Sequence, residues 1–167
     1  MVRLVVGAGS TPEGRWPLMA APGSFTAGSV LTAAEMNDLP AGVVYLDQTA
    51  SSPDPIIGTT TVVIRTTSIV LETGRRYKIS ATAYTYLLST TLTVVTRIMD
   101  GATRLALQQW TGNATFNNFT FSFFAIVDGD GSSHTISLDT VASTGSFTFS
   151  TASNRPAVLL IEDIGPS

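Results

Sequence analysis

From Gly42 onward, apolar and hydroxyl-bearing side chains take turns along the chain, and this two-residue period limits the fold more than any other feature. Tyr77, Ile79, Ala81 and Ala83 alternate with Lys78, Ser80, Thr82 and Tyr84. Leu92, Val94 and Ile98 alternate with Thr91, Thr93 and Arg97, and Phe119, Phe121, Phe123 and Ala125 alternate with Thr120 and Ser122. The pattern returns at His134, Ile136 and Leu138 against Thr135, Ser137 and Asp139, and at Phe147 and Phe149 against Ser146, Thr148 and Ser150. An extended strand sends successive side chains to opposite faces, and β-branched and aromatic residues suit its pleated surface. Thr73-Gly74, Asp100-Gly101, Asp128-Gly-Asp-Gly131 and Thr144-Gly145 supply turn chemistry between the runs. Asp100-Gly101 is the clearest hairpin signal, joining 91–99 to 104–110. The spacing predicts a mainly β chain of roughly eight to ten strands in an antiparallel sandwich. A jelly roll is the expected topology, with an immunoglobulin-like sandwich as the alternative.

The faces that should meet water are not uniformly polar. The Thr120/Ser122 face continues as Phe124 and Ile126, and Val158 and Leu160 oppose Leu159 and Ile161. A strand apolar on both faces is covered on both faces. Charge is scarce as well: Asp, Glu, Lys and Arg make up 13% of 167 residues, about half of an ordinary share. With a mean hydropathy of +0.29, that points to a surface partly buried against other subunits, most simply in a closed cyclic oligomer. Phe124, Ile126, Val158 and Leu160 are the expected oligomer interface.

The same counts exclude several functions. A net charge of −3, with Lys78 the only lysine, gives no basic patch for nucleic acid. Without cysteine there are no disulfides and no thiolate metal site. No apolar run reaches the ~18 residues of a membrane span, and the stretch after Met1 is too short for a signal peptide.

Residues 1–40 read as an extended arm and 41–167 as the sandwich. The arm is rich in Gly and Pro and lacks periodicity, which suits either a solvated tail or a segment lying on another surface. Trp16, Leu18, Met19 and Phe25 favour the second. Arg3–Val6 could add a strand. Thr32-Ala-Ala-Glu35 fits a capping box, Leu31 and Met36 fit its hydrophobic staple, and Pro40 ends the helix, predicted over about 33–39. At about two turns, it needs a surface to dock on.

Sites for chemistry are sparse. His134, the only histidine, sits in an alternating strand and reads as a packed side chain. No Gly-x-Ser-x-Gly elbow or cysteine nucleophile accompanies it, so no catalytic residue is expected. Asp47, Asp54, Glu72 and Asp139 have no spacing that pairs them. Asp128, Asp130 and Asp139 resemble the spacing of a Ca²⁺ loop, but Ser133 stands where that loop needs glycine, and a plain Asp/Gly turn is the simpler reading. No metal or cofactor is expected. Arg75-Arg76-Tyr77-Lys78 reads as a solvated strand end, or as a contact for an acidic neighbour or an anionic glycan. Tyr84, Tyr86 and Trp110, with Gln108, Gln109, Asn113, Asn117 and Asn118 nearby, offer flat rings beside amides and form a candidate glycan contact.

Residues 25–44, Phe25-Thr-Ala-Gly-Ser-Val-Leu-Thr-Ala-Ala-Glu-Met-Asn-Asp-Leu-Pro-Ala-Gly-Val-Val44, resemble a segment of minor tail or tail-fibre proteins from tailed bacteriophages of actinobacterial hosts. Gly74–Ile79, Arg97–Gly101 and the ending Arg155–Pro166 are similar to strands and tail in such β domains. The resemblance implies a virion structural protein, homotrimeric, at the tail tip or fibre tip, that touches host surface glycans. In that setting Trp16, Phe25, Leu31 and Met36 would anchor the arm to other virion proteins. A capsid decoration protein or head spike is the alternative, and a glycan-degrading tail enzyme a second one.

Overall fold

A computed structural model describes residues 39–50, 54–87, 92–112, 118–151 and 155–167. The chain forms two units, Met1–Asp38 and Leu39–Ser167. The expected arm, its helix and the residues Trp16, Phe25, Leu31 and Met36 lie outside the described residues.

Ten strands form among the described residues: β1 (Gly42–Asp47), β2 (Ile56–Ile57), β3 (Val62–Val70), β4 (Arg75–Leu87), β5 (Leu92–Asp100), β6 (Thr103–Gly112), β7 (Asn118–Asp128), β8 (Ser133–Ala142), β9 (Phe147–Ser150) and β10 (Val158–Pro166). The larger sheet runs β1-β10-β4-β9-β2 with β7 also on β4, and the smaller runs β3-β8-β5-β6. Every pairing is antiparallel. Strand β4 is long enough to pair β10 along its first half and β9 along its second, with β7 on its other edge throughout. From β2 to β9 the chain changes sheet at every step except the β5–β6 hairpin. That path is a jelly roll, and it sets aside the immunoglobulin-like order.

Between the sheets lies one core. Phe121, Phe147, Phe149, Ile57, Leu71, Ile79, Leu92, Ile98, Ile136, Leu138 and Leu159 are fully buried. Each contributes roughly 1.5–3 kcal/mol by leaving water. Tyr77, Ile79, Ala81 and Ala83 all face it, as the alternation predicts. Thr96 and Thr140 also face it, paired across β5 and β8, with their hydroxyls 3.2 Å apart so that neither is left without a partner. Strand β9 departs from the pattern: Phe147, Thr148, Phe149 and Ser150 are all buried, so its expected outer face is covered too.

The turns are where the glycines predict them. Gly101 opens the two-residue β5–β6 loop with φ +53, a conformation that costs a residue with a Cβ. The 128–131 turn packs on the β3–β4 turn: Gly129 N donates to Arg75 O at 2.7 Å and Gly131 N to Leu71 O at 2.8 Å.

Candidate binding faces of the larger sheet

The outer face of the larger sheet is built by the strand residues whose neighbours fill the core. Cross-strand pairing lines up Leu46, Leu160, Ser80 and Phe124 in one row. The next row is Val43, Glu162, Lys78 and Ile126. Phe124 is 58% exposed, Val43 58%, Leu46 48% and Ile126 47%. Val158 and Leu160 are half-buried among them. This face therefore brings together the four expected interface residues and adds Val43 and Leu46 from the edge strand. Polar relief is slight. Lys78 Nζ lies 3.4 Å from Glu162 and 5.8 Å from the Phe124 ring centre, and the Ser80 Oγ is buried without a hydrogen-bond partner.

Beyond Thr82 the character of the same face changes. Tyr84 and Tyr86 follow on β4, their ring centres 6.5 Å apart, and Tyr86 Oη donates to Asp54 Oδ2 at 3.5 Å. The Arg155 guanidinium lies over the Tyr84 ring, 4.4 Å from its centre. Thr82, Ala83, Tyr84, Thr120, Arg155 and Pro156 line an open cleft here. Trp110 does not join the two tyrosines. It pairs with the buried Val94 on the smaller sheet, packs against the core and stacks on Phe119 at 5.0 Å. Asn113 and Asn117 lie outside the described residues.

The charged candidates resolve into pairs. Arg76 and Lys78 are exposed as expected of a strand end, but all three cations meet an acidic neighbour, and Arg75 does so largely buried. Arg75 bonds the nearly buried Asp163 through Nε at 2.8 Å and Nη2 at 2.6 Å, Arg76 bonds Asp128, and Lys78 meets Glu162. The suggested Ca²⁺ ligands do not converge. Asp128 takes Arg76, Asp139 takes Arg97 on the other sheet at 2.6 and 2.9 Å, and Asp130 turns to its own loop and His134. No cluster able to hold a metal ion occurs among the described residues.

His134 is not simply packed against apolar neighbours. Its Nδ1 lies 2.6 Å from Asp100, and its Nε2 lies 3.1 Å from Asp130 and 3.2 Å from Ser132 Oγ. Ser132, His134 and Asp100 thus have the connectivity of a nucleophile, base and orienting acid, but Asp130 alters the chemistry. With a carboxylate at each ring nitrogen, both nitrogens are best used as donors, and the doubly protonated ring cannot take a proton from Ser132. The Asp100 carboxylate raises the imidazole above its ordinary value, partial burial opposes the rise, and Asp130 adds to it. Asp130 is held down to about 2, first by its hydrogen bonds from Ser132 and then by His134.

The pH dependence follows from the sign. A histidine raised on folding adds stability that is complete below its unfolded value and fades as pH climbs through the folded one. Melting temperatures of the wild type and His134→Gln should therefore differ most near pH 5 and converge above neutrality. A difference independent of pH would show that the contacts of His134 with Asp100 and Asp130 carry no charge-dependent stability.

No protein-family model matches the sequence, and no curated protein matches it. Among solved structures it is similar to one described as "CBM4 structure and function", at 18% identity and a TM-score of 0.23. The likeness covers 61% of this chain and 59% of the other, so the chain spans less than two thirds of that structure.

Sequence reasoning missed Arg155, Val43, Leu46 and the two aspartates around His134. Only Asp130, four residues before His134, carried a local signal.

Proposed function

We propose that this protein is a non-catalytic structural module that works by assembling with further copies through the outer face of its larger sheet. The observation that carries the reading is the set of exposed apolar side chains on that face, Val43 and Leu46 on one side and Phe124 and Ile126 on the other, with Leu160 between them. Isolated soluble domains seldom leave so many large apolar side chains open on one face, and a self-complementary face closes most readily by rotation. The resemblance at 25–44 and 155–166 supplies the setting: a bacteriophage virion, with a homotrimer at the tail tip or fibre tip and the arm attached to neighbouring virion proteins.

Sedimentation tests the assembly. The wild type should run near three times 17.5 kDa at micromolar concentration, and Phe124→Glu should run as a folded monomer. A glutamate at an exposed position leaves the core intact but buries an unpaired charge in the interface. A wild type that is already monomeric would overturn the proposal. Gold labelling of particles separates tail from head, since label on heads favours the capsid-decoration alternative.

A further inference from the structure

The cleft beside Tyr84 has a chemistry that the assembly reading does not use. Its walls are a tyrosine ring, Ala83, Pro156 and the exposed residues Thr82 and Thr120. Its one charged group is Arg155, and no carboxylate lines it. Arg65, Arg75, Arg76 and Arg97 each meet an aspartate, whereas Arg104 and Arg155 form no ion pair among the described residues, and of these two Arg155 is the one held on an aromatic ring. In a protein of net charge −3, a guanidinium held on an aromatic ring with no ion pair among the described residues is poised for an anion from outside. Tyrosine and proline offer flat apolar surface for the C–H face of a sugar ring, threonine hydroxyls exchange hydrogen bonds with sugar hydroxyls, and a planar guanidinium matches a carboxylate with two parallel bonds.

We propose that this cleft binds a saccharide unit bearing one carboxylate, a sugar of the uronic acid class, with Arg155 on the carboxylate and Tyr84 and Pro156 against the ring. The site deepens the glycan-contact expectation but moves it. Tyr84 stays, Trp110 packs against the core instead, and Arg155 adds a preference for acidic sugars. It does not rest on self-association, because the cleft lies within one copy.

The test is ligand-observed NMR with glucuronate and glucose at low ionic strength. Wild-type protein should bind glucuronate at least tenfold more tightly than glucose, and added salt should erode the difference. Arg155→Gln, a surface change, should bring the ratio to about one, and Tyr84→Ala should weaken both sugars at least fivefold. Phe124→Glu should bind like the wild type whatever its oligomeric state, which separates this site from the assembly reading. Failure to bind glucuronate, equal binding of the two sugars, or a preference that survives Arg155→Gln would each overturn the proposal.

Discussion

Asp163→Ala should cost about 3–5 kcal/mol of folding stability, measured as a fall in the urea midpoint at unchanged slope. Asp163 is 4% exposed and takes two hydrogen bonds from Arg75, whose side chain is itself only 13% exposed. Its other oxygen accepts Gly165 N at 2.9 Å, where the β10 register shifts. Removing the carboxylate takes two hydrogen bonds from a largely buried guanidinium and the acceptor from a buried amide, and both penalties fall on the folded state. Asp163→Asn keeps the Gly165 bond and should lose less. Replacing both partners, Arg75→Met with Asp163→Leu, should recover much of the loss, because breaking one side of a buried pair costs more than replacing both. A loss under about 1 kcal/mol for Asp163→Ala would show that water reaches Arg75.

Gly129→Ala should be the next most damaging change, at about 2–4 kcal/mol. Glycine is not needed here for its backbone angles. A Cβ would stand 2.1 Å from Glu72 O and 2.8 Å from Leu71 O, both backbone atoms that cannot swing aside. The 128–131 turn would have to lift off the β3–β4 turn, straining the Gly129–Arg75 and Gly131–Leu71 bonds. Faster amide exchange at Gly129 and Gly131 with little change at Phe121 would localise the damage. A variant as stable as the wild type would show that the two turns separate freely.

The two-residue period made the strands legible, down to which face of β4, β5, β7 and β8 meets the core. It is a local signal, and burial of one face enforces it. Strand β6 was less readable, because Leu105, Ala106, Leu107, Gln108, Gln109 and Trp110 fix no parity. Pairing with Val94 decides it and takes Trp110 inward. Partners distant in the chain left no trace. Arg75 meets a residue 88 positions away and Arg76 one 52 away, so an apparent basic cluster is three separate ion pairs. Arg155 reaches Tyr84 only because β10 follows β9 along the same edge of β4. By contrast, the apolar second face could be read from Phe124, Ile126, Val158 and Leu160, since parity alone put them outside.

The Arg75 guanidinium that holds Asp163 also donates from Nη2 to Leu39 O at 2.7 Å, and Ser167 N donates to Gly74 O at 3.0 Å. Leu39 and Ser167 therefore sit at the same pole, where Gly42 pairs with Asp163. Tension between Leu39 and Ser167 would not shear β1 against all its partners at once. It would peel β1 from β10 one pair at a time, beginning at Gly42. Peeling needs little force per step, so lengthening β1 would strengthen the attachment hardly at all. The first resistance is the Arg75 catch on Leu39 and Asp163, which makes a single side chain the mechanical fuse at the entry to β1.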